Sequence, residues 1–221
     1  MVNWLYKNWA KLSVLLAIIL TIFIIFFIQT ENTVLFLIWI QIPIYLLHQF
    51  EEHAWNGFKN YINKKVFKVQ EGDFPLNDKN IFWINIPIIW ILMPIFAGLS
   101  SINIMFCLWI PYFAVLNSLS HVIFSIRNRE YNPGLIVSLI LGIPVGAYAL
   151  IVFYSNIAVP AIISILSIFF ALLLHIIIFG YIKMNYKKKP DNTQNRFSLK
   201  KNYCFFYSII LNADTLILQC R

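Results

Sequence analysis

Six stretches of the chain stay apolar for nearly as long as a bilayer is thick, and polar breaks separate them. They are Leu12–Ile28, Thr33–Phe50, Ile81–Leu99, Ile102–Phe124, Leu135–Tyr154 and Ile157–Ile182. A hydrocarbon core of roughly 30 Å takes about 20 helical residues. The runs are continuous rather than alternating, so the predicted fold class is all-α, a polytopic membrane bundle of about six transmembrane helices. Prolines at 43, 87, 94, 111, 144 and 160 lie in or at the start of these runs, which membrane helices tolerate when neighbours satisfy the freed carbonyls. The first run follows Lys7 and Lys11 as a signal peptide would, but no small-residue cleavage site follows it. It is expected to be retained.

Composition agrees with this pattern. Of 221 residues, 60% are hydrophobic and 12% charged, against about 45–50% and about 25% in ordinary globular domains. Mean hydropathy is +0.74. A secreted disulfide scaffold, a cytosolic nucleotide-binding enzyme and a disordered chain are excluded. Three cysteines, Cys107, Cys204 and Cys220, show no framework or metal spacing.

The formal charge of +8 orients helices and is no sign of nucleic acid. Lysine and arginine accumulate on the cytoplasmic side of membrane proteins. Here they fall in alternate connections: Lys7 and Lys11; Lys59, Lys64, Lys65, Lys68 and Lys79; Arg127 and Arg129; then every remaining one from Lys183 onward. The connections around Glu31, Ser100 and Asn156 have none. Both termini are therefore predicted to be cytoplasmic, in a multi-pass cell-membrane protein. The expected domains are a six-helix transmembrane unit over 1–184 and a basic tail over 185–221, whose second apolar stretch Tyr203–Leu218 is too short and polar to span. Between helices two and three, Ala54–Asn80 mixes aromatics with lysines and is predicted to hold a helix lying on the inner surface.

Ionisable groups inside a membrane helix are expensive and are functional candidates by default. All four histidines, His48, His53, His121 and His175, lie in or just past an even-numbered helix, and Glu51 and Glu52 sit between the first two. Measured from their outer boundaries, His48, His121 and His175 lie roughly 24, 30 and 28 Å deep. Three helices thus place imidazoles at one level, in the inner leaflet. His48, Glu51 and Glu52 are spaced i, i+3, i+4 and share a face with Gln41, while Asn117 and His121 are i, i+4. His53 is turned roughly 140° from His48 and reads as interfacial.

Imidazole and carboxylate are the usual ligands of zinc, iron or manganese. The predicted metal ligands are His48, Glu52, His121 and His175, with Glu51 and Asn117 as catalytic residues. Glu51 and Glu52 are about 100° apart on a helix, so one of them, Glu52 on the His48 face, is expected to ligate while Glu51 moves protons. A metal-free acid/base pair or proton pathway, or a buried network that only ties helices together, uses the same residues.

His48-Gln49-Phe50-Glu51-Glu52 reads H-x-x-E-E, Asn117 to His121 reads N-x-x-x-H, and Tyr131-Asn132-Pro133-Gly134 reads Y-N-P-G. With Phe82-Trp83-Ile84-Asn85-Ile86, this ordered set resembles the bacterial HXXEE-motif membrane proteins over approximately residues 35–185. The resemblance implies that His48, Glu51, Glu52, Asn117 and His121 are the family's polar positions and that Tyr131 to Gly134 act as a unit. It implies no activity, because the family's name records a motif.

The function expected from these residues is a metal-dependent enzyme acting on a lipid or other hydrophobic substrate. Hydrolysis, hydroxylation and isomerisation all remain open. The expected partners are membrane lipids and a hydrophobic small molecule, without nucleic acid. A proton-coupled transporter and a structural membrane subunit are the competing classes.

Overall fold

The structure is a computed structural model describing residues 2–28, 32–69 and 75–184. Six of its helices are long and apolar enough to cross a membrane: α1 (Val2–Phe27), α2 (Thr33–His53), α4 (Asp78–Leu99), α5 (Ile104–Asn128), α6 (Leu135–Asn156) and α7 (Ala161–Met184). The six apolar helices are those of a multi-pass membrane protein. The expected tail over 185–221, including Tyr203–Leu218, lies outside the described residues.

Local chemistry sets the helix ends. Asn32 starts α2 by accepting from the Val34 and Leu35 amides at 2.8 and 3.2 Å, and Asn77 starts α4 by accepting from Asn80 N at 2.9 Å. These carboxamides serve N–H groups that have no partner inside the helix. Prolines set the irregular turns. A π-helical turn over Ile86–Leu92 surrounds Pro87, another over Ser138–Gly142 precedes Pro144, and a 3-10 turn over Ile104–Cys107 precedes Pro111. Each accommodates a residue with no N–H to give.

The first helix starts ten residues before its apolar run, so Lys7 and Lys11 ride on its first turns. It lies along α2 and buries Ala10, Ser13, Ala17 and Ile24. Because small side chains bring backbones close, this contact suits a medium in which apolar burial drives nothing. Against α5 pack both α6 and α7. Gly146 allows the first of these contacts, since a Cβ there would meet Val115 Cγ2 at 2.8 Å. The main core lies between α2, α4 and α5 and includes Ile38, Ile42, Ile89, Met93 and Phe113. Phe26, Ile140, Ile151, Ile165 and Phe169 face outward.

The segment expected on the inner surface is helical over Gly57–Tyr61, named α3, and continues as a π turn over Ile62–Val66. It does more than float there. Tyr61, Ile62, Phe67 and Leu76 are buried with Trp9, Ile81 and Ile182, forming a second core that floors the bundle at its lysine-rich end. Asn63 closes the segment, donating to Leu76 O at 2.7 Å and accepting from Leu76 N at 3.1 Å. The site lies directly above this floor.

Candidate metal centre

His48 and Glu52 project from adjacent turns of α2, and α5 presents His121 opposite them. His121 Nε2 lies 3.1 Å from Glu52 Oε1, and His48 Nε2 lies 3.5 Å from Glu52 Oε2. The three donor atoms all lie within 4.8 Å of one another, and all three residues are buried. Among the described residues they form the one His/Cys/Asp/Glu group of three or more compact enough to hold a metal ion.

Hydrogen bonds to the far side of each ring decide which nitrogen carries the proton. Asn132 Nδ2 donates to the His121 carbonyl at 3.4 Å, which leaves Asn132 Oδ1 facing His121 Nδ1 at 3.3 Å. An oxygen acceptor there assigns the proton to Nδ1, so Nε2 turns a lone pair toward Glu52. On His48, Nε2 accepts from Asn117 Nδ2 at 3.0 Å and Nδ1 faces Ser138 Oγ at 3.5 Å. His121 therefore aims its Nε2 lone pair at the carboxylate with its other nitrogen held by an oxygen, the arrangement in which histidines bind metals, while the His48 Nε2 lone pair is taken by the Asn117 amide.

Tyr131 to Gly134 form the clamp around this trio. Besides Asn132, Pro133 packs on Gly57, where a Cβ would lie 2.9 Å from Pro133 Cγ. Gly134, at φ 98°, lies against both rings. Tyr131 donates to Glu51 Oε1 at 2.7 Å. The profile of a family described as "Protein of unknown function with HXXEE motif" matches residues 39–149, a stretch running from α2 into α6 that contains the trio and its clamp. The chain belongs to that family. No curated protein and no solved structure matches it.

In this HXXEE protein the two glutamates of the motif face different tasks. Glu52 is in the trio. Glu51, expected to move protons, is occupied elsewhere: besides the Tyr131 hydroxyl, its oxygens accept from the Ile136 amide at 3.0 Å and the Val137 amide at 2.8 Å. It caps the N-terminus of α6, where free N–H groups and the helix dipole favour a carboxylate. Tyr131, in the connection between spans, has its hydroxyl pKa raised by burial, by that hydrogen bond and by the Glu51 charge.

Three of the four predicted ligands, His48, Glu52 and His121, come together in the compact group, and His175 is not among them. Its Nδ1 donates to Ala171 O at 2.8 Å and its ring packs on Phe113 at 4.6 Å. It also lies beyond the matched residues. Gln41 is buried higher in the bundle, donating to Leu37 O at 3.1 Å. Asn117, expected to be catalytic, touches the trio through His48.

The HXXEE protein also uses a residue that sequence reasoning set aside. His53 is buried rather than interfacial, because Trp9 and Phe58 stack around its ring at 5.5 and 5.7 Å. Its Nε2 lies 3.3 Å from Glu52 Oε2 and 3.4 Å from Asn85 Nδ2. Asn85, within the Phe82-Trp83-Ile84-Asn85-Ile86 stretch, accepts from Gln49 at 3.1 Å, and Gln49 in turn accepts from Trp90 at 2.9 Å. This chain of polar contacts holds the side of Glu52 turned away from His121.

Proposed function

We propose that this protein is a membrane enzyme that holds one divalent metal ion, zinc, iron or manganese, between His48, Glu52 and His121 and acts on a hydrophobic molecule supplied by the bilayer. The observation that carries the reading is the 3.1 Å approach of His121 Nε2 to Glu52 Oε1, with Asn132 assigning the ring proton to the opposite nitrogen. Two acceptors that close in a low-dielectric interior repel unless a cation lies between them or an extra proton is added. His48 Nε2 is a third donor atom once the Asn117 amide turns away from its lone pair, so a metal ion meets the need more fully than a proton does.

A divalent ion at this point would supply Lewis acidity toward an oxygen of the substrate. The chain's own groups do the rest. Glu52 offsets the ion's charge, Asn132 and Ser138 hold the rings in one tautomer, and Asn117 can turn its carboxamide to offer Oδ1 instead of Nδ2. Glu51 positions the clamp by anchoring α6. The lysine and arginine pattern supports a trio toward the cytoplasmic face of a cell membrane, with both termini on that side.

Elemental analysis of the detergent-purified chain tests this reading. About one divalent ion per chain is expected for wild type and nearly none for Glu52→Gln. Equal, negligible metal in both would leave a hydrogen-bonded network or a proton pathway as the role of these residues.

A further inference from the structure

A cavity of about 70 Å³ adjoins the trio, bounded by α2, α3, α4, α5 and α7. Its polar side is made by Glu52, His53, Asn117, Ser120, His121 and His175, and much of its apolar side by Ile84, Ile88, Ile178, Phe179 and Ile182. Polar groups at one end and aliphatic walls elsewhere fit an amphiphile.

Two ring nitrogens in this lining are buried without a partner, His53 Nδ1 and His175 Nε2. Their protonation follows from what the opposite nitrogen faces. His175 Nδ1 bonds a carbonyl oxygen, which can only accept, so the proton is on Nδ1 and Nε2 is a bare acceptor. His53 Nε2 lies between the Glu52 carboxylate and the Asn85 Nδ2 donor, so His53 Nδ1 can serve as donor or acceptor. A buried acceptor left without a donor is costly, and His175 Nε2 borders this space. What fills that space must bring a hydrogen.

Charge narrows the class. No lysine or arginine lines the cavity, so a phosphate or carboxylate headgroup would meet Glu52 with no cation beside it except the proposed metal. An ammonium group would meet that metal. An uncharged hydroxyl satisfies both constraints.

α4 and α7 meet at two levels beside the cavity. They touch at the lysine-rich end, where Tyr181 donates to Asn80 Oδ1 at 3.4 Å, and again in the other half, where the Phe96 and Phe170 rings lie 6.0 Å apart. Between these contacts stand Ile84, Ile88 and Ile178 of the cavity wall, beside the π-helical turn around Pro87. The cavity wall between these two contacts is aliphatic.

We propose that this cavity binds the hydroxyl end of a long-chain alcohol, which donates to the bare His175 nitrogen while the chain leaves between α4 and α7 into the bilayer. This deepens the metal-enzyme reading by naming its substrate class. The binding itself depends on the imidazoles and the gap.

The test uses the full chain in lipid nanodiscs with a hexadecanol that carries a photoreactive diazirine at mid-chain. Labelling is expected within residues 81–92 and 174–182, and unlabelled hexadecanol should compete at least about tenfold better than hexadecanoate, hexadecyl phosphate or hexadecylamine. His175→Leu should weaken competition about tenfold by removing the acceptor. Ile178→Trp should block labelling by filling the gap while leaving the polar groups intact. Equal competition by the charged chains, or labelling of His175→Leu and Ile178→Trp at the wild-type level, overturns the proposal. Metal content measured on the same samples separates the two readings: alcohol binding without metal sinks only the metal, and metal without alcohol binding sinks only the alcohol.

Discussion

Gly134 stands where His48 and His121 leave no room for a side chain: a Cβ on it would lie 2.7 Å from Cε1 of both rings. The loop after α5 thus closes over the two imidazoles with bare backbone, and any atom added there must push one ring away from Glu52.

Gly134→Ala is expected to lower divalent-metal affinity about 10- to 100-fold, the range seen when groups supporting metal ligands are disturbed. The positive φ adds strain of roughly 1–3 kcal/mol for a residue with a Cβ. Calorimetric titration of zinc into chelator-stripped protein checks it. Wild-type affinity in the variant would mean that the rings do not depend on this glycine.

Asn132→Leu should act on the same centre by another route. It removes the oxygen that holds the His121 proton on Nδ1, freeing the ring to present N–H to Glu52, and affinity should again fall about 10- to 100-fold. Restoration by Asn132→Asp, which keeps an oxygen, distinguishes tautomer control from lost packing.

Glu51→Ala should lose stability and keep its metal. Removing a helix cap costs about 0.5–2 kcal/mol, so thermal unfolding in detergent should come earlier while the metal-to-protein ratio stays at the wild-type value. A metal-free Glu51→Ala protein would place Glu51 in the centre itself.

Tyr131 predicts an alkaline response. Its folded-state pKa is raised by burial and by the Glu51 carboxylate, so the folded chain keeps this proton at a pH where the unfolded chain, with a pKa near roughly 10, releases it. Its contribution is complete below about pH 10 and declines above. Tyr131→Phe should lose about 1 kcal/mol at neutral pH and show a shallower loss of stability in alkali, read from denaturation midpoints across pH.

The orientation is open to direct test. Reporter fusions at residues 31, 100 and 156 should all score external, and fusions at 68 and 129 cytoplasmic. A cytoplasmic score at Ser100 would reverse the assignment.

Much of this was legible because bilayer thickness sets helix length and because i, i+4 spacing puts Glu52 beside His48 within one helix. What escaped depends on partners remote in the chain. The capping role of Glu51 needs the amides of Ile136 and Val137, which no local pattern connects to it. His53 points away from His48 on an isolated helix, yet Trp9 and Phe58 bury it and the neighbouring Glu52 carboxylate reaches its Nε2. For His175 the sequence offers a position along α7 but no rotation, and the ring packs on Phe113 outside the trio. The early start of α1 was hidden because its first turns carry lysines that apolar patterning discards.

Asn63 grips both backbone groups of Leu76 with a single carboxamide. In mechanical terms this is a staple between the π turn after α3 and the residues that lead into α4, so the floor beneath Glu52 is pinned backbone to side chain and not by apolar packing alone.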